Sequence, residues 1–245
     1  MNVSFHARLD LRCLGQASWR DYYQRLLQRD SEILRYWQMP GVTSLLFDPA
    51  WSWLDTIEET RPILREKPSA EVTHDDCRRI WGYHHYGFLG SIRGNGRITN
   101  GINENTGGFR DQVLRICRDP GLWHDHASAF AGVHRLTELK GCGIAFASRL
   151  GAILRPDLLV PVNNANSQRF SDWTGIAKSR LTDGHHHCRG YRELMDIIWQ
   201  CTWFADEPRE FLDDRERRCW RARCALLDLF MYDESPETSL VGHDR

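Results

Sequence analysis

The sequence predicts a mainly α-helical protein. Three observations carry that expectation. Apolar residues recur at helical spacing through most of the 245-residue chain, helix-start chemistry precedes several of those stretches, and neither an alternating apolar–polar run nor an internal repeat is found.

The elements follow in order. SWRDYYQRLLQRDSEILRYWQ, residues 18 to 38, opens on a capping serine and places Tyr22, Leu26, Ile33 and Trp37 near helical spacing. After Pro40 and Gly41, SLLFDPAWSWLDTIEETRPIL is compatible with helix on both sides of Pro49, and a polar linker follows around Lys67, Pro68 and Ser69. THDDCRRIWGYHHYGFLGSI has Thr73 as a cap and acids in its first turn, the order a helix dipole favours. RGNGRITNGINENTGG, residues 93 to 108, is rich in glycine and asparagine without a sustained apolar period and is expected to be a long loop. Helical patterns resume at FRDQVLRICRD, break at Asp119, Pro120 and Gly121, and continue through HASAFAGVHRLTEL. YRELMDIIWQCTWF and EPREFLDDRERRCWRARCALLDLFMY read as closing helices.

This divides the chain into one globular unit, 1 to 232, and a loose polar tail, 233 to 245. Within the unit, an N-terminal helical part spans 1 to 92 and the polar loop 93 to 108. The segment 109 to 182 holds a helical hairpin at 136 to 154, and the closing helices span 190 to 232.

Bulk properties narrow the function. A formal net charge of -1 excludes a protein that is basic all over, although a local patch can still attract nucleic acid. No stretch reaches the roughly 18 apolar residues of a membrane span. The start MNVSFHARLDLRC carries charges where a signal peptide needs an apolar core, so a cytoplasmic protein is expected, with no membrane partner. Eight scattered cysteines are expected to be reduced and mostly buried, and ten tryptophans are enough to leave some for a working surface.

The most informative stretch is LTELKGCGIAFASRLGAILRPDLLVPVNNANS, residues 136 to 167. Gly141 and Gly143 flank Cys142 in a tight turn, and Leu136, Leu139, Cys142, Ala147, Leu150 and Leu154 are spaced for two short helices packed on each other. Ala145 and Ala147 keep the second helix slim. Its first N–H groups have no partner within the helix and can hold a phosphate. Such contacts position DNA without reading its sequence. Lys140, Arg149 and Arg155 are candidates for added attraction, with Lys140, Gly141, Gly143, Ala145 and Arg149 as the expected backbone contacts.

Leu136, Leu139, Gly141, Gly143 and Ala147 match the pattern Leu-x-x-Leu-x-Gly-x-Gly-x-x-x-Ala, and here the chain resembles the helix-hairpin-helix DNA glycosylases. Lys140 replaces the usual proline. LLVPVNNANSQRF resembles the apolar stretch that in this family carries the catalytic aspartate at the start of the next helix, but Asn163 and then Asn164 stand there. The resemblance covers residues 136 to 170 as a motif and 73 to 230 as a helical layout. It implies a helix-hairpin-helix glycosylase-like fold with two helical subdomains flanking a cleft. The implied activity is that of a DNA glycosylase, which flips out a damaged or modified base and hydrolyses its N-glycosidic bond to leave an abasic site. Hypermodified cytosine of invading phage, such as the glucosylated hydroxymethyl form, is a possible substrate. The alternative is a non-catalytic DNA-binding module.

An amide carries no charge and cannot accept the proton of an attacking water. Three readings stay open: Asn163 positions water, a carboxylate among Asp157, Asp172, Glu104 and Asp111 takes over, or the protein binds DNA without chemistry. Helix capping is the plain role for one of Asn163 and Asn164. The family members that also cut the strand carry a lysine where this chain has Ile144, Ala145 and Phe146, so base release without strand cleavage is implied. Cys188, Cys201, Cys219 and Cys224 are too irregularly spaced for the family's iron–sulfur loop, and no cofactor is expected.

For the base pocket, Tyr83, His84, His85 and Tyr86 offer flat surfaces and polar edges, while neighbouring Trp81 and Phe88 suit a core helix. Asn103, Glu104 and Asn105, with the other amides of 93 to 108, offer a hydrogen-bonding wall. The histidine tract in DGHHHCRGYRE reads as a solvated loop, not a metal site. Arg215 to Arg223 reads as a solvated helix face on which Arg221 and Arg223 are the phosphate candidates. DNA is the expected partner, with no obligate protein partner.

Overall fold

Side-chain caps start many of the helices, and arginine side chains close others. The computed structural model describes residues 11–37, 41–49, 51–82, 96–183 and 188–231. In order the helices are α1 (Leu11–Leu14), α2 (Trp19–Trp37), α3 (Trp53–Arg65), α4 (His74–Trp81), α5 (Gly96–Glu104), α6 (Phe109–Cys117) and α7 (His126–Thr137). They continue with α8 (Ile144–Leu154), α9 (Ser167–Thr174), α10 (Lys178–Leu181), α11 (Arg189–Ile198), α12 (Thr202–Ala205), α13 (Asp214–Arg221) and α14 (Asp228–Met231). The described residues hold no strand, as the periodicity predicted. None of the described helices is long and apolar enough to cross a membrane.

Local chemistry explains the starts. Ser18 and Asp21 exchange hydrogen bonds ahead of α2, Ser52 accepts from Asp55 N at α3, and Thr73 and Asp76 form a capping box at α4. Asp125 and Ser128 form another at α7. Trp19, Tyr22, Tyr23, Leu26 and Ile33 form the buried stripe of α2, which packs on α12 and α14. The segment 44 to 49, read as possible helix, is a set of turns instead. The buried Asp30 takes hydrogen bonds from Leu45 N at 2.7 Å and Ser44 Oγ at 2.6 Å, which holds these residues against α2.

Residues 93 to 108 do not form one loop: 96 to 104 is α5. Ile98 and Ile102, four apart, are both buried and seat this helix between α4 and α6. Two apolar residues at one turn's spacing outweigh the poor helix propensity of its glycines and asparagines because tertiary packing supplies most helical stability.

Of the 32 basic residues only Lys67, Lys140 and Lys178 are lysines, and the fold shows a use for the arginines. The last carbonyls of a helix have no partner within it. Arg118 donates to the carbonyls of Ile63, Leu64 and Lys67 at the end of α3, and Arg110 to those of Ile102 and Asn103 at the end of α5. Arg149 serves the end of α4 through Arg79 and Ile80, and Arg61 the end of α8 through Ile153. Arg29 and Arg169 reach the carbonyls of Leu229 and Phe230 in α14. A guanidinium suits this work because its charge opposes the helix dipole and its fork meets more than one carbonyl.

One continuous apolar cluster runs through the described helices. All eight cysteines are free thiols and only Cys13 is exposed, as the spacing led one to expect. Burial pushes the thiols of Cys117 and Cys201 up to about 12.

Candidate functional site

The hairpin forms where the glycines predicted it. Cys142 N donates to Leu139 O at 2.8 Å, Gly141 takes the left-handed φ of +91°, and Gly143 starts α8 from an extended conformation. Leu136, Cys142, Ala147, Leu150 and Leu154 are buried and Leu139 is half-buried. α7 and α8 approach closely at Gly151, where a Cβ would lie 2.7 Å from Val133 Cγ2. Sequence reasoning credited Ala145 and Ala147 with that slimness.

Gly143 is exposed, has no side-chain cap on the helix it starts, and a Cβ there would meet nothing. The first N–H groups of α8 have no acceptor within the helix and carry its partial positive charge. Lys140 stands exposed beside them. Arg97, from α5, crosses Gly141 so closely that a Cβ there would lie 2.5 Å from Arg97 Cδ. Among the described residues no carboxylate pairs with Arg97 or Lys140. In the sequence Arg97 falls within the stretch 93 to 108 expected to be a loop, and nothing local signals that α5 packs beside a turn more than 40 residues on.

The chain then returns to the middle of α8. Ser148 Oγ accepts from Val162 N at 2.9 Å and lies 3.3 Å from Val162 O, so residue 162 is held against the middle turn of α8, at a residue about 7.5 Å along the helix axis from Gly143. The asparagine turn follows directly. Asn163 O accepts from Ser167 N at 3.0 Å, and Asn163 Oδ1 accepts from Ala165 N at 2.8 Å and Asn166 N at 3.1 Å. The fully buried Asn166 answers with Oδ1 to Asn163 N at 2.8 Å, while its Nδ2 donates to Pro161 O and to the buried Asp228 of α14. Asn163 thus caps the turn that leads into α9, and Asn164 and Ala165 are exposed. The supports Ser148, Asn166 and Asp228 were missed. Only Asn166, three residues past Asn163, had a sequence signal, the spacing of a reciprocal cap.

Several expected roles are overturned. Arg149 is 0% exposed, donates to Ile80 O at 3.1 Å and Arg79 O at 2.8 Å, and cannot reach a DNA backbone from there. Its position faces inward because α8 is buried on nearly all sides. Arg155 and Asp157 form a two-pronged ion pair at 2.9 and 2.7 Å, and Arg155 also holds Trp123 O, so each is committed to the other rather than to phosphate or water. Arg223 stacks 4.1 Å over Trp220 and donates to Phe204 O, which removes it as a phosphate contact, whereas Arg221 is exposed.

The remaining candidates are placed as follows. Asp172 is exposed and accepts from Gln168 Nε2. Asp111 accepts from Ser69 and Asn105, and those hydrogen bonds hold its carboxyl below the usual range. It lines an open groove that contains none of the other candidates. Asn103 accepts from Trp81 Nε1, tying α5 to α4, Asn105 braces Asp111 from a left-handed φ of 52°, and Glu104 is exposed. Tyr83, His84, His85, Tyr86 and the tract 185 to 187 lie outside the described residues. Ala145 is half-buried in the first turn of α8.

Comparison with protein-family models, with curated proteins and with solved structures returns no match.

Proposed function

We propose that this protein is a helix-hairpin-helix DNA glycosylase that releases a damaged or modified base without cutting the strand. The turn at Gly141 to Gly143 grips the sugar-phosphate chain, Lys140 and Arg97 add charge, and the asparagine turn meets the nucleotide drawn out beside it, in a cleft between two helical subdomains. The observation that supports this reading is the open, uncapped turn at Gly143 in the hairpin, together with the Ser148–Val162 pair, which ties the asparagine turn's approach to the middle of α8. Residues 144 to 146 supply no amine for a Schiff base, in keeping with hydrolysis by water alone.

A second reading, DNA binding without hydrolysis, has its own support. Asn163 Oδ1 is taken up by two N–H groups, and Asp157 is taken up by Arg155. Neither is in a position to accept a proton from water.

One pair of measurements separates these readings from each other and from error. Gly143→Trp, which the open space at that position tolerates, is expected to abolish duplex binding while leaving the melting temperature unchanged. Wild-type protein incubated with DNA of varied modification is expected to release a base identifiable by mass and to leave alkali-labile sites. Binding without any released base selects the second reading. Undiminished binding by Gly143→Trp refutes both.

A further inference from the structure

We draw no further inference here: the strongest candidate, the open groove beside α6 lined by Ser69, Asp111, Arg115, Arg118 and Asp119, carries nothing because Asp111, Arg118 and Asp119 are each bonded within the protein and nothing in the structure shows what the exposed Arg115 would hold.

Discussion

Replacing Arg149 should unfold the protein before it touches DNA binding. The side chain is fully buried, its guanidinium meets Arg79 O at 2.8 Å and Ile80 O at 3.1 Å, and its Cζ lies 2.8 Å from where a Cβ on Gly82 would stand. Hydrogen bonds to a charged group each contribute roughly 1.5 to 3 kcal/mol, so losing the two leaves α4 uncapped at a cost of about 3 to 6 kcal/mol before any cavity is counted. For a chain of this size each kcal/mol moves the melting temperature by roughly 2 to 4 °C. Arg149→Ala should therefore melt about 6 to 24 °C below wild type in a circular dichroism scan. Arg149→Lys should recover part of this, because one ammonium replaces the charge but not the fork. Gly82→Ala should be strained as well, by its φ of +80° and by the clash with the guanidinium. The clash disappears in the double variant, so the two changes should cost less together than their sum. An Arg149→Ala protein that melts within 2 °C of wild type yet loses DNA affinity would refute this reasoning and return Arg149 to the interface.

Other consequences are simpler to test. Gly141→Ala, at a φ of +91° and with Arg97 in the way, should cost about 1 kcal/mol or more and weaken duplex binding, whereas Gly143→Ala should melt like wild type. Burial raises the pKa of Asp76, but hydrogen bonds from Lys67 and Thr73 outweigh it and hold the carboxyl below its ordinary value. Its contribution is therefore present above the unfolded value near pH 4 and is lost as pH falls through the lower folded one. Asp76→Asn should be less stable than wild type at pH 7, with the gap closing at pH 3 in parallel urea titrations. With every cysteine a free thiol, a thiol reductant should leave the melting temperature unchanged, and a shift would reveal a disulfide.

What could be read from the sequence is what neighbours along the chain decide. Thr73 three residues before Asp76, and leucines at helical spacing on either side of Gly141 and Gly143, act within a turn or two, so the caps, the helical class and the hairpin were legible. The helix α5 was not, because Ile98 and Ile102 matter only once α4 and α6 lie against them. The arginines were the least legible of all. A guanidinium has the same donors whether it faces phosphate or the carbonyls of a distant helix, and the sequence near Arg149 does not say that α4 ends beside it.

The asparagine turn divides in the same way. Its presence after an apolar stretch, and its lack of a carboxylate, are properties of residues 159 to 166 alone. Packing decided the rest: Asp228, 62 residues away, meets Asn166, and Ser148 draws Val162 alongside the middle of α8. Sequence set which hydrogen-bonding groups exist, since that is a matter of residue type. The tertiary structure set which of them are consumed inside the molecule and which remain for a ligand, since that depends on what remote segments bring within 3 Å of each atom.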